Sequence, residues 1–337
     1  MGKQIATIEE LEAIVGKTPL PMTLKVIDHL DEGALRWIGI SPFCFTAFGD
    51  ASGLAVTMAG GSRGFASASA HELQLPAATL DDATLARPGI GFASLFPLPG
   101  ITETLRVNGR VAEVRHDEIR VVVEECYGHC GKALIRSDFW AAAPIAWAPS
   151  DRSAFIADCR FLAFATIDSQ GRADLSPKGD SGGMMAHLEG SRLWFADRPG
   201  NRRADSFRNI IAQPRIAAAL LIPGSTHVMR LSGTACITDD EVMRAQFKVQ
   251  DKTPALAIGI DDLSITMSES AALVRTHLWP VAGRPADIEP AMVFAEHIKL
   301  NKSNGLGARL TSAALSVPGV TGLLKKGLEN EYKNNLY

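Results

Sequence analysis

The chain carries one pattern twice, and this limits what it can fold into more tightly than any single motif. Residues 43–53 read FCFTAFGDASG and residues 161–171 read FLAFATIDSQG. Each is an apolar strand running into an Asp-x-x-Gly turn, with Asp50 and Asp168 in matching places at a shift of 118. Residues 99–109, PGITETLRVNG, match residues 223–233, PGSTHVMRLSG, and align Arg106 with Arg230 at a shift of 124. A third pair, ALIRSDFW at 133–140 and ALVRTHLW at 272–279, aligns Arg136 with Arg275 and Trp140 with Trp279. Three matches in one order, at slowly growing shifts, mark an internal duplication. Strand-and-turn patterning shared by any two β domains explains the Asp-x-x-Gly turns, but not the arginines and tryptophans.

The duplication divides the chain into copy one (1–145), copy two (146–284) and a tail (285–337). The Pro/Ala-rich stretch 141–149 has the composition of a semi-rigid linker. Thr7 followed by Glu10 is a capping-box signal for a short N-terminal helix. Val26, Ile27, Leu30 and Leu35 suggest a second helical stretch before the first strand. In copy two, strands are expected near 161–168, 173–178, 191–196, 215–222, 227–237 and 255–266, with helices over 201–211 and 268–278. Hairpin-linked strands with a few helices give a mainly β, α+β fold with one small antiparallel barrel per copy. The tail reads as amphipathic helices over 292–300, 310–315 and 323–332, expected to pack across a barrel or a subunit contact without chemistry of their own.

A length of 337 residues suits two such domains. With 34 basic against 37 acidic side chains, nothing supports a nucleic-acid or anionic-membrane surface. No apolar run reaches the ~18 residues of a membrane helix, and the first residues lack the core of a secretory signal. The scattered Cys44, Cys126, Cys130, Cys159 and Cys236 argue against a disulfide framework and for a reducing cytosol. A cytoplasmic protein with a small-molecule partner is the expectation. No metal is expected: Cys126-x-x-His129-Cys130 has the wrong order for covalent haem, and no second Cys/His pair stands at zinc spacing. No Gly-x-Ser-x-Gly or Walker pattern appears. Trp140 and Trp279, retained equally in both copies, read as core.

The richest chemistry lies in Ser176-Pro-Lys178-Gly179-Asp180 and, one strand later, in Asp197-Arg198-Pro-Gly200-Asn201-Arg202-Arg203 with Ser206 beyond. Asn201 is a favourable N-cap for a helix presenting Phe207, Ile210 and Ile211. Two arginines in a first helical turn oppose the helix dipole unless an anion sits there, so Arg202 and Arg203 point to phosphate. Lys178 and Ser176 add a cation and a hydroxyl from the neighbouring strand. The competing reading is a solvated basic turn.

On these elements the sequence resembles the pyridoxamine 5′-phosphate oxidase-like, FMN-binding split β-barrel proteins. Copy two carries that family's Ser-Pro-Lys-Gly-Asp and Asp-Arg-Pro-Gly-Asn-Arg-Arg elements. Copy one carries its opening, from Leu24 through Phe43, and its later elements around 99–109 and 129–140. The resemblance spans about residues 7 to 280. It implies two tandem split β-barrels forming an intrachain pseudo-dimer, with FMN between them, and leaves room for a further homodimer. It further implies Ser176, Lys178, Asp197, Asn201, Arg202, Arg203 and Ser206 at the phosphate end. Glu103, Thr104, Lys132 and Arg136 would lie toward the flavin ring, with Glu103, His129 and Lys132 as catalytic candidates.

The two copies depart from the family pattern in opposite halves. Copy one has Met58 and Gly60 where copy two has Ser176 and Lys178, and acidic Asp81 and Asp82 near the place of the arginine pair. Copy two replaces Glu103, Thr104, His129, Cys130 and Lys132 by His227, Val228, Ser268, Glu269 and Ala271. A pseudo-dimer would keep one complete composite site. The expected activity is that of an FMN-dependent oxidoreductase with its own electron donor or acceptor. The alternatives are a non-catalytic flavin-binding or sensing module, or the same barrel using deazaflavin or haem.

Overall fold

The structure, a computed structural model, describes residues 2–146, 151–303, 305–315 and 320–337. Three short helices, α1 (Ile8–Val15), α2 (Leu20–Leu24) and α3 (Glu32–Ile40), precede the first sheet. That sheet holds β1 (Phe43–Asp50), β2 (Gly53–Gly60), β3 (Ser67–Ala68), β4 (Glu72–Pro76), β5 (Gly91–Pro97), β6 (Thr104–Arg115) and β7 (Glu118–His129), followed by α4 (Lys132–Arg136). After α5 (Arg152–Asp158) come β8 (Phe161–Ile167), β9 (Ala173–Gly179), β10 (His187–Glu189) and β11 (Arg192–Ala196). Helix α6 (Asp205–Ala212) leads to β12 (Arg215–Leu221), β13 (His227–Thr238), α7 (Glu241–Ala245), β14 (Ala257–Glu269) and α8 (Ala271–Thr276). The tail forms α9 (Pro290–Leu300), α10 (Leu306–Leu315) and α11 (Val320–Asn334).

Both sheets are antiparallel, and their strand orders coincide: β2-β1-β5-β6-β7-β4-β3 in one and β9-β8-β12-β13-β14-β11-β10 in the other. The residue registers coincide except in the first hairpin. Phe45 pairs with Leu95 as Ala163 pairs with Ala219, but the turn after Asp168 is one residue longer than the turn after Asp50, so Phe45 pairs with Met58 whereas Ala163 pairs with Pro177. Thr104 faces His129 as Val228 faces Ser268, and Arg106 faces Tyr127 as Arg230 faces Thr266. Thr57 and Ala59, not the expected Met58 and Gly60, therefore stand in the places of Ser176 and Lys178, and Gly60 stands in that of Gly179.

Strand alternation explains why β1 and β8 show no polar face. Cys44 and Phe48 point into the core of the first barrel, while Phe45 and Ala47 point the other way. Leu162 and Phe164 point into the second barrel, while Phe161, Ala163 and Ala165 meet the opposite copy. The outward faces form one shared apolar layer in which Phe45 stacks on Phe161 with ring centroids 5.4 Å apart. Contacts across it are reciprocal, β2 on β12 and β5 on β9, as in a two-fold interface. A buried polar pair repeats the symmetry at its border. Arg106 reaches Asp205 at 3.8 Å, and the matching Arg230 reaches Asp81 at 2.9 Å. Arg106, fully buried, also pairs with Asp174 of copy two and donates to Tyr127 Oη at 2.5 Å.

Several local expectations change. Thr7 caps α1, accepting from Glu10 N at 3.2 Å, but this segment packs on the second barrel, where Ile5 N donates to Ile237 O and Leu11 is buried. Of the second helical stretch only Leu35 is helical, in α3, which Asp31 caps; Val26, Ile27 and Leu30 lie between α2 and α3, with Ile27 bridging to Cys126. The helix expected over 201–211 starts at Asp205, behind Ala204 in a left-handed conformation, so Arg202 and Arg203 lie in the loop before it. Strand β14 continues to Glu269, pushing the next helix to Ala271. The linker stretch 141–149 extends beyond the described residues after 146.

Truncating one member of a buried ion pair leaves a charge uncompensated. Arg106→Ala is expected to cost about 3–5 kcal/mol in urea unfolding. Arg230→Ala, whose pair is partly solvated, should cost much less; equal losses would show that burial of the Arg106 pair carries no special weight.

Candidate functional site

The phosphate elements of copy two and the late elements of copy one converge on a cavity of about 100 Å³. Strand β9 presents Ser176 and Lys178, and the loop 197–204 curls over them before α6. Opposite stand His129 at the end of β7 and Arg136 on α4. Gly179 lets α4 approach: a Cβ there would fall 1.9 Å from Ala133 O. A second cavity of about 230 Å³ adjoins the first, sharing His129, Cys130, Gly200, Asn201 and Arg202. Its walls are mostly apolar: Met22, Trp37, Val293, Phe294, Leu328 and Tyr332.

Each residue singled out in the sequence has a definite place. Ser176 Oγ accepts from Arg106 Nη2 and from Ser206 Oγ, both at 2.9 Å, and donates to Asp174 Oδ2 at 3.0 Å. Lys178 lies with its Nζ 4.9 Å from the centre of the Phe207 ring. Burial pushes the Asp197 carboxyl above its ordinary value, opposed by Lys178 and Arg136. Asn201 does not cap α6; its Oδ1 accepts from Arg203 N at 3.1 Å while its buried Nδ2 has no partner. Arg202 is exposed, at φ 56°, and its carbonyl accepts from Thr18. Arg203 pairs with Asp205 at 2.7 Å, donates to Met22 O at 2.9 Å and stacks on Tyr127.

On the copy-one side, Glu103 Oε1 accepts from Tyr332 Oη at 2.9 Å. Thr104 faces His129 across the ladder, outside both cavity linings, with its buried hydroxyl unpartnered. Lys132 Nζ donates to Glu331 Oε1 and Asn335 O, both at 2.7 Å. Arg136 Nε donates to Gly179 O at 2.8 Å and its Nη1 to Leu336 O at 2.7 Å. Arg275, its counterpart, likewise donates Nε to Gly60 O at 3.1 Å, so this contact docks the helix in both copies. His129 is held well below its ordinary pKa, first by burial and then by Arg106 and Lys25, and its Nδ1 is unpartnered. Such an imidazole stays neutral, which suits hydrogen bonding more than proton uptake.

The balance of charge favours an anion. Asp174 pairs with Arg106, Asp205 with Arg203, Asp180 with Arg198 at 2.5 Å, and Glu331 with Lys132. Among the described residues, Lys25, Lys178, Arg136 and Arg202 line the cavities with no carboxylate within 4 Å. At the mirrored places copy one has Thr57 and Ala59, neither of them charged. A Cβ on Gly60, the counterpart of Gly179, would lie 2.5 Å from Thr276 Cγ2 of α8, so the short helix docks closely in both copies.

Sequence reading missed four contributors. Arg106 was visible as a repeated arginine, but not as a partner of Ser176. Lys25, 2% exposed, stands in the opening element of copy one but gives no local sign of its burial, and the tail residues Tyr332 and Tyr337 carry no motif; only the fold brings them here.

Lys25 gives a pH test. Burial lowers its amine to about 7 from an ordinary value near 10.5. Between these pH values the unfolded chain binds a proton that the folded chain does not, so stability rises with pH across that window. Urea midpoints of wild type relative to Lys25→Met should therefore increase from pH 7 to pH 9.5. A pH-independent difference would contradict the burial of an uncompensated amine.

A family model described as Pyridoxamine 5'-phosphate oxidase matches residues 150–273. No curated protein matches the chain. Among solved structures, HupZ from Group A Streptococcus is 18% identical over 35% of this chain and 91% of its own, with a TM-score of 0.30. General Stress Protein 26 from Bacillus anthracis strain Sterne is 17% identical over 34% and 92%, with a TM-score of 0.26. An F420 reductase is 16% identical over 36% and 98%, with a TM-score of 0.27. The second copy thus matches the Pyridoxamine 5'-phosphate oxidase family model, and the first repeats its strand order.

Proposed function

We propose that the chain is an FMN-dependent oxidoreductase whose single flavin site is assembled from the phosphate half of copy two and the opposing half of copy one. The observation that carries this reading is the set of cations without carboxylate partners converging on two adjoining cavities, only one of which is apolar. The fit to a phosphorylated flavin rests also on buried donors that lack acceptors, Asn201 Nδ2 and Arg198 Nη2, both on residues lining the smaller cavity. A phosphate dianion supplies acceptors for such groups.

Bound flavin supplies the hydride or electron chemistry. The chain's own residues bind, orient and exclude water. Lys178 and Arg202, with Ser206 at the start of α6, hold the phosphate; Arg203 stays on Asp205 and lends its charge. Arg106 fixes the hydroxyl of Ser176 from the opposite copy. His129 Nδ1, neutral and unpartnered where the cavities meet, offers a hydrogen bond to the ring or to a small substrate beside it.

Mass spectrometry of the cofactor released from purified protein tests the assignment, with FMN expected; haem, a deazaflavin or no cofactor would overturn it. The phosphate contacts are tested by Arg202→Ala combined with Arg203→Ala. With one charge-assisted hydrogen bond lost at Arg202, about 1.5–3 kcal/mol, and the nearby charge of Arg203 removed, FMN affinity should fall by roughly ten- to a hundredfold. Riboflavin affinity should change little. An equal loss for both would place the phosphate elsewhere.

A further inference from the structure

We infer that the larger cavity is a binding chamber for a planar, largely apolar ring bearing an oxygen acceptor, which is met by Lys25, and that residues 331–337 are the latch that closes it. The inference rests on the proposed flavin reading only for the source of that ring, which is either the isoalloxazine or a separate substrate.

The chamber is built on one side of the pseudo-symmetric pair only. Its apolar walls come from α2, α3, α9 and α11, outside the duplicated sheets, while the end of β7, α4 and the loop 200–202 supply its polar side. Trp37, 1% exposed, is held rigidly by a 2.9 Å bond from its Nε1 to Phe96 O, and Phe294 and Val293 face it from the tail. These walls suit a flat apolar ring. Into them enters a single amine with no ion pair. Lys25 Nζ donates to Gly128 O at 2.8 Å and lies 5.4 Å and 5.8 Å from the centres of the Tyr127 and Phe294 rings. One carbonyl does not exhaust three N–H donors. A ligand oxygen is the missing acceptor, and His129 Nδ1 is a second unused polar atom at the same wall.

Glu331 and Tyr332 line the chamber, and the tail that carries them is tied to both copies. Tyr332 Oη donates to Glu103 and accepts from Gly131 N at 3.0 Å, while Glu331 and Asn335 hold Lys132 of copy one. Leu336 O accepts from Arg136, and Tyr337 stacks on Arg198 at 5.2 Å and donates to Asp180 Oδ1 at 3.1 Å in copy two. The copy-one groups turned toward the ring side are thus engaged by the chain's own tail. A ligand reaches the chamber when these contacts part.

The test uses the full chain with menadione, a planar quinone, as probe, following quenching of tryptophan fluorescence; Trp37→Phe identifies the reporter. Saturable quenching that vanishes in Trp37→Phe is expected. Lys25→Met should weaken binding about tenfold, the scale of one hydrogen bond from a charged donor, and Lys25→Gln less so, with circular dichroism confirming that both fold. Replacing Tyr332 and Tyr337 together by Phe should raise association and dissociation rates severalfold while Kd changes less than twofold. Binding that persists in saturating FMN marks a separate substrate; displacement by FMN marks the isoalloxazine itself, and either outcome supports the chamber. Absence of Trp37 quenching, wild-type affinity in both Lys25 variants, or an unchanged association rate in the double Tyr variant would overturn it. Menadione binding by a protein that releases no flavin would sink the flavin reading and leave the chamber standing.

Discussion

The apolar layer between the two sheets is the contact on which the rest of the molecule depends. Strands β1 and β8 bury both faces, one in their own barrel and one against the other copy, so each barrel alone would expose Phe45, Ala47, Phe161 and Ala163. Burying such side chains contributes roughly 1.5–3 kcal/mol for each large one. The layer also sets direction. Because the copies meet about a pseudo-two-fold, the hairpin β8–β9 of copy two faces the β6–β7 end and α4 of copy one, and Arg106 can reach Ser176.

Symmetry of that kind generates two equivalent places, and the chain uses them differently. On one side a cavity is lined by Ser176, Lys178 and Arg202. On the other, Thr57 and Ala59 take the places of Ser176 and Lys178 and leave no cation there. The elements outside the repeat deepen the difference. The segment 16–40 and the tail gather over the cation-rich side and wall a chamber there. Duplication supplies the scaffold, and the unduplicated pieces make it asymmetric.

The repeat was legible because it rests on local features: strand alternation, Asp-x-x-Gly turns and a few placed arginines, each tied to backbone geometry. The position of His129 against Ser268 followed directly and agrees with the ladders, whereas Met58 against Ser176 is off by one because the turn after Asp168 is one residue longer than the turn after Asp50. Helix boundaries were less legible. Asn201 reads as an N-cap, but its side chain turns back on Arg203 N and the helix waits until Asp205, whose carboxylate Arg203 then engages. Lys25 and Tyr332 were invisible for a different reason. Nothing local marks a lysine for burial or a tyrosine for a distant glutamate; both acquire their roles from contacts more than a hundred residues away in sequence.

The central claim is that two unequal halves make one site per chain. Native mass spectrometry of the purified chain titrated with FMN tests it most directly, because it counts flavin and protein together. The account predicts one flavin bound per chain at saturation, whatever the oligomeric state. Two flavins per chain would mean that the Thr57 side also binds, and one flavin per two chains would mean that the site lies between molecules; either would contradict it.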